Sequence, residues 1–256
     1  MMPIAIGADG SRRAESRVWV PEVPVALEFN GLSYAVMMAT PQDLEDFATG
    51  FALNEGLAAN PAEITDIAVA EVAQGWIVRA RLSGLGIDKL TDRVRSRVAE
   101  SSCGLCGIEN LAEVARALPL VASHAAVAPT AIFAALGQLR ASQPLGRETD
   151  AAHAAAWVSA EGAIGLIRED VGRHNALDKL TGAMARSGHP LSPGFVLSTA
   201  RCSYEIVEKA VRAGATTLVT VSLPTTMAVE RACAAGLSLW CLARDDAVTL
   251  VHDGSA

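Results

Sequence analysis

Aromatic side chains are scarce in this chain, only 4% of 256 residues, and long apolar runs are absent although 51% of residues are hydrophobic. The difference is made up by 48 alanines. The longest stretch without Asp, Glu, Lys or Arg runs from Ala117 to Leu139, and Pro119, His124, Pro129 and Gly137 break it, which excludes a bilayer helix. The N-terminal stretch has no apolar core of a signal peptide, since Met1 to Arg17 carries Asp9, Arg12, Arg13, Glu15 and Arg17. The expected location is therefore cytoplasmic, with no membrane partner. Positive charge is short as well: 21 Lys+Arg stand against 28 Asp+Glu, a net charge of −7, which argues against nucleic acid as a partner. A small anion could still be met by a few converging arginines. The five cysteines, Cys103, Cys106, Cys202, Cys233 and Cys241, are odd in number and too dispersed for a disulfide framework.

What is present reads as a small α+β region, residues 1–100, then a CxxC loop at 101–108 and an α/β core at 109–256, with one continuous domain as the alternative. Alternation through Val25, Leu27 and Phe29, the Asn30-Gly31 pair and the apolar run from Tyr34 predict a hairpin. Thr40 as N-cap, Pro41 and Asp43 then predict a helix carrying Leu44, Phe47 and Phe51 on one face and ending before Gly56. Residues 64–72 and 75–82 predict two strands. Arg93, Arg95 and Arg97 read as a solvated helix face. Helices are expected from about 109 to Leu118 and from Pro129 to Arg140, followed by a polar break from Ser142 to Asp150. Apolar segments at 163–167, 195–197, 217–221 and 237–242 then alternate with helical ones at 175–186, 203–213 and 225–235, and a short strand closes at 248–251. This βαβ rhythm predicts a largely parallel sheet with helices on its faces.

In such sheets, ligands bind where strand ends meet helix N-termini, because unpaired N–H groups there favour anions. Three loops qualify: 168–175, with Gly172, Arg173 and His174 before an Asn175/Asp178 cap pair; 198–203, with Arg201; and 222–226. Together they outline a crevice of hydroxyls and arginines suited to a nucleotide or pterin phosphate. No Walker A sequence or dinucleotide fingerprint is present. The sharpest local feature is Ser101-Ser102-Cys103-Gly104-Leu105-Cys106-Gly107 ahead of a helical segment, where a thiolate would be stabilised. Redox dithiol, half of a zinc site and sulfur-carrying thiol all fit that pattern. Zinc needs further ligands, and only His153 offers itself, at a distance.

Thr40-Pro41, Leu44 to Ala48, Gly50-Phe51, Glu55-Gly56, the Ser102 to Gly107 loop, the run Glu169 to Lys179 (EDVGRHNALDK), and Arg201, Ser203, Glu205 and Lys209 together resemble the FdhD family of sulfur carrier proteins for formate dehydrogenase maturation. The resemblance covers nearly the whole chain. It implies a cytidine-deaminase-like mixed sheet with helices on both faces, a smaller N-terminal α+β region, and a cytoplasmic homodimer. It also implies a sulfurtransferase that takes persulfide sulfur from a cysteine desulfurase and delivers it to the bis-molybdopterin guanine dinucleotide molybdenum cofactor of formate dehydrogenase, with GDP or GMP as ligand analogues. Cys103 maps to the persulfide carrier and Cys106 to its supporting thiol. The cofactor segment maps to Leu242, Ala243, Arg244, Asp245, Asp246 and Ala247, and Arg173, His174, Arg201 and Arg244 are the expected anion contacts. Asp170 and Glu205 are expected to orient those bases. No metal site is expected, and a non-catalytic cofactor chaperone is the alternative.

The chain also departs from the family pattern. Asp150 and Ala151 stand where T-G-G-x-H-A-A has its two glycines, Ala200 stands for the glycine before Arg201, and Cys241-Leu242 stands for Gly-Phe before Arg244. Ala151 and Ala200 fit only where the backbone does not need positive φ.

Overall fold

The computed structural model describes residues 3–84 and 117–256. Cys103, Cys106 and the Arg93, Arg95 and Arg97 cluster lie outside them, as does the expected helix from 109, except that Ala117 and Leu118 are not helical.

A short exposed hairpin, β1 (Ile4–Ile6) and β2 (Arg12–Ala14), precedes a four-stranded sheet. That sheet contains β3 (Val23–Phe29), β4 (Leu32–Ala39), β5 (Ile64–Val72) and β6 (Gly75–Leu82), in the order β4-β3-β6-β5. The hairpin turns at Asn30 and Gly31, both at positive φ (51° and 79°), the geometry whose twist matches paired strands. Val25, Leu27 and Phe29 point to one face, and α1 (Leu44–Asn54) lays Phe47 and Phe51 on it. Much of the scarce aromatic content is spent here. Phe29 stacks with Phe51 at 6.3 Å between ring centroids, and Tyr34 meets both edge-on.

α1 starts at Leu44, later than the sequence predicts. Thr40 is no cap: its N–H donates to Asp170 Oδ2 and its hydroxyl to the Pro21 carbonyl. The hydroxyl oxygen, which an N-cap uses as acceptor, instead accepts the Val171 N–H at 3.1 Å.

The second sheet has six strands, β7 (His153–Val158), β8 (Ile164–Asp170), β9 (Phe195–Ser198), β10 (Thr217–Thr220), β11 (Ser238–Cys241) and β12 (Thr249–His252), ordered β8-β7-β9-β10-β11-β12. It is mixed, not largely parallel. Only β9, β10 and β11 pair in parallel, whereas β7 runs antiparallel to β8 and β9, and β12 to β11. The loops 159–163 and 242–248 are too short for a crossover and force those reversals. β7 is a strand that sequence pattern does not reveal, because Ala154, Ala155 and Ala156 carry no strand propensity.

Strand residues alternate between two cores. Ala155, Val196, Leu218 and Leu239 face α4 (Arg173–Arg186), α5 (Tyr204–Arg212) and α6 (Thr226–Ala235). Ala156, Val158, Phe195, Leu197 and Val219 face α2 (Pro129–Leu139), through Ile132, Ala135 and Leu136. Within the expected polar break lies a short helix, α3 (Pro144–Thr149), whose Leu145 and Gly146 N–H groups donate to the buried Glu169 carboxylate at 2.9 and 2.7 Å.

The two sheets are locked together by α1 crossing α4. A Cβ on Gly50 would stand 1.7 Å from the Asp178 carbonyl oxygen, and one on Gly182 would stand 1.8 Å from that of Asp46. Both obstacles are helix backbone, which cannot rotate away. Gly182→Ala should therefore force the helices apart and cost about 3 kcal/mol, read as a lowered midpoint in urea denaturation; an unchanged midpoint would show that the crossing yields freely.

Candidate functional site

Strand direction assembles the site. Because β7 is antiparallel to both neighbours, its first residue, His153, shares a sheet edge with the last residues of β8 and β9. The ends of β10 and β11 lie on that edge too, being parallel to β9. Arg173 and His174 after β8, His153, Thr199 and Arg201 after β9, Ser222 and Leu223 after β10, and Leu242 to Ala247 after β11 therefore line up along that one edge, where the crevice is expected.

The expected site residues divide between its two ends. On the β7–β9 side, α4 begins at Arg173 with Gly172 as its cap residue, so Arg173 and His174 are the first helical residues. Asn175 and Asp178 are not a cap pair. The Asn175 amide donates to the Met38 carbonyl and to Asp170 Oδ1, both at 2.9 Å, and Asp178 is bound by Lys209 and Asn54. Arg201 is exposed, and among the described residues it has no carboxylate partner. On the β10–β11 side, Ala243 is buried, and Leu242, Arg244, Asp245, Asp246 and Ala247 are exposed. The Leu242 and Ala243 N–H groups donate to Ser222 and Thr220 carbonyls, and Arg244 Nη1 donates to the carbonyls of Val221 and Ala243. Arg244 likewise has no carboxylate partner among the described residues. Adjacent strands are about 4.8 Å apart, so the β9 and β11 ends are spaced for a ligand larger than one phosphate.

Beneath the crevice, Lys209 Nζ binds both oxygens of the buried Asp178 (2.9 and 3.0 Å) and Glu55 Oε1 (3.3 Å), 5.5 Å above the Phe51 ring. Burial pushes the Asp178 carboxyl up, while Lys209 and Asn54 hold it down. His174 stands beside this group. Burial, then the charges of Lys209 and Arg173, push it down to about 3. It is thus neutral at working pH, and to an anion it can offer an N–H but no positive charge. Its Nε2 is 4.0 Å from Glu205 Oε2 and has no hydrogen-bond partner among the described residues. Asp170 orients the loop and not the bases. It pairs with Lys179 at 2.6 Å and accepts the N–H groups of Thr40 and Gly172.

Sequence reasoning passed over His153 and the Lys209–Asp178 pair as parts of this edge, whereas Thr199 lies in the hydroxyl-bearing 198–203 loop expected here. The signal for His153 was its place at the head of β7, hidden by the alanines behind it. Cys202 and Cys241 lie under the same edge but belong to the core. The Thr220 hydroxyl donates to Cys241 Sγ at 3.3 Å, and the Cys241 thiol together with burial pushes Cys202 up, leaving it unreactive. Cys233 is exposed on α6. Among the described residues no cluster of three His, Cys, Asp or Glu is arranged for a metal, and no helix is long and apolar enough to cross a membrane.

Two backbone positions mark where this chain departs from the glycine pattern. Asp150 and Leu242 adopt positive φ, 54° and 51°, whereas Ala151 and Ala200 do not. Aspartate tolerates that conformation; a leucine held there is strained, and such strain collects at ligand sites.

The model of the FdhD/NarQ family matches residues 20–255. The chain belongs to the FdhD/NarQ family. Among FdhD relatives, the sulfur carrier protein of Variovorax paradoxus is 45% identical over 254 residues, covering 98% of this chain and 91% of that one. The sulfur carrier protein FdhD of Cupriavidus necator is 48% identical over 218 residues, covering 85% and 76%. A crystal structure from Desulfotalea psychrophila, assigned as a formate dehydrogenase accessory protein, superposes with a TM-score of 0.76 at 22% identity, covering 98% and 95% of the two chains. That likeness establishes the α/β fold with its mixed sheets.

The depressed His174 makes a stability prediction. Its folded value lies below the unfolded one of about 6.5, so below pH 6.5 the unfolded chain binds the extra proton and stability falls. Between pH 7 and pH 5 the loss should be about 2 kcal/mol. Urea denaturation at both pH values should show a smaller loss in His174→Gln; an equal loss in both proteins would mean His174 titrates normally.

Proposed function

We propose that this chain is a sulfur carrier in the maturation of formate dehydrogenase, and that its crevice holds a guanine nucleotide portion of the molybdenum cofactor as substrate. The observation that carries the reading is the pair Arg201 and Arg244: two cations on one sheet edge without carboxylates among the described residues, in a chain of net charge −7 whose relatives are named sulfur carriers. Most other described cations, among them Arg79, Arg140, Arg168, Arg186 and Arg231, are bound to acids. Leaving two guanidiniums unmatched favours an anionic ligand, and guanidinium geometry suits phosphate oxygens.

The sulfur chemistry is assigned to Cys103. Its thiolate attacks the terminal sulfur of a persulfide on a cysteine desulfurase. The S–S bond of the donor breaks, the donor cysteine leaves as thiolate, and Cys103 becomes the persulfide. Delivery would keep that polarity: an electron-rich acceptor on the cofactor supplies the electron pair that takes the terminal sulfur, the S–S bond breaks, and Cys103 leaves as thiolate. Cys106 is the supporting thiol, and the carrier acts as a homodimer. The role of the described residues is to bind and orient the nucleotide end of the substrate: Arg201 and Arg244 through charge, His174 through a neutral N–H, and the N-terminus of α4 through its backbone.

Three experiments test this. Incubation with a cysteine desulfurase and cysteine should add one sulfur atom to the protein mass, and Cys103→Ala should abolish the gain; an adduct that persists overturns the assignment. A Cys103→Ser/Cys106→Ser protein that still supports active formate dehydrogenase would favour a non-catalytic chaperone instead. For the crevice, Arg201→Ala/Arg244→Ala should weaken GDP binding about tenfold or more in titration calorimetry, and unchanged affinity would refute the site.

A further inference from the structure

His153 lies outside every role assigned above, yet it occupies the middle of the edge. It is the first residue of β7, opposite Asp170 of β8 in the sheet register. Its Nδ1 lies 3.3 Å from the Thr199 hydroxyl, which also accepts the Ala154 N–H at 2.8 Å. One bond, to a hydroxyl itself held by the Ala154 backbone, positions the ring, and its Nε2 makes no hydrogen bond among the described residues. Facing it are Arg173 and His174 from α4, Arg201 and Thr199 from the end of β9, and Asp170 from β8. With His174 neutral and Asp170 paired to Lys179, the charges that act on the ring are chiefly the two guanidiniums.

We propose that His153 completes the anion site, and that phosphate groups seated at Arg173 and Arg201 draw a solvent proton onto its imidazole, so that nucleotide binding here is coupled to proton uptake. This rests on the reading of the crevice as a nucleotide site. In the free protein burial, then Arg173, hold His153 below its usual range, so the ring is neutral near pH 7. An arriving anion offsets the guanidinium charge and adds its own attraction, which favours the imidazolium. The protonated ring donates from both nitrogens, one to Thr199 and one to the phosphate. By linkage, affinity rises as pH falls through the interval between the free and bound values of the imidazole, by at most about tenfold per pH unit for one proton.

The test is titration calorimetry of the full chain with GDP at about pH 6.5, the ordinary imidazole midpoint, in two buffers of different ionisation enthalpy. The buffer dependence of the heat reports protons taken up. Wild type should take up a larger fraction of a proton than His153→Gln, which keeps a hydrogen bond to Thr199 but cannot titrate and should bind GDP more weakly. Protons contributed by GDP itself are common to both proteins and cancel in the comparison. Equal proton uptake in the two overturns the proposal. No GDP binding by wild type overturns the nucleotide reading itself, a result distinct from the first. Should the variant fold poorly, the His153 ring resonances of wild type, followed by NMR from pH 8 to pH 5, decide the matter. GDP should move their midpoint upward, and a midpoint that stays or falls refutes the coupling.

Discussion

Asp170 and Lys179 bury opposite charges 2.6 Å apart, with no exposure of either side chain, where the end of β4 meets β8 and α4. Such a pair survives only if every remaining polar position is filled. Here each is. Asp170 accepts from Thr40, Gly172 and Asn175, and Lys179 donates to the carbonyls of Thr40 and Glu169. Removing either partner would strand the other's charge in the core, at about 3–5 kcal/mol. The pair thereby ties the four-stranded sheet to the six-stranded one, and it dictates where the chain leaves β8. The direction of α4, and with it the position of Arg173 and His174 on the crevice, follows from that exit. Gly50 and Gly182 extend the same junction by letting α1 and α4 touch backbone to backbone.

This changes how the run from Glu169 to Lys179 is understood. Its density of charge suggests a binding loop, and Arg173 and His174 do face the crevice. The rest is framework: Glu169 holds the start of α3, Asp170 and Lys179 form the buried pair, Asn175 reaches back to β4, and Asp178 anchors Lys209. A long motif of this kind can persist because its members satisfy one another.

How much of this the sequence discloses depends on the range of the interactions. The strands β5 and β6 and the hairpin at Asn30-Gly31 are legible because two-residue alternation and turn chemistry are local. The parallel core from β9 to β11 is legible for a similar reason, as apolar strands alternating with amphipathic helices. The beginnings of α1 and α4 are misread because Thr40 and Asn175 look like caps and are instead bound to partners across the domain, Asp170 and Met38. β7 is hidden by alanines, whose strand character comes only from the neighbours that pair with them. The crevice follows in outline from strand ends and arginines. His153 does not, because its place depends on the antiparallel direction of a strand that the pattern conceals.

Charge at the crevice is arranged by subtraction. The molecule is acidic, and ion pairs absorb most of the described cations, so a positive site is favoured where acids are withheld or already occupied. Asp170 is neutralised by Lys179 and Asp178 by Lys209, so these two buried carboxylates do not cancel Arg201, while the exposed Asp245 and Asp246 beside Arg244 make no ion pair with it. Burial, reinforced by Lys209, keeps His174 uncharged, so the positive charges on this edge are guanidiniums and the imidazoles are left as neutral donors or acceptors. In the proposed site an anion would be held through groups that never lose their charge, and sensitivity to pH would enter through the half-buried ring beside those groups.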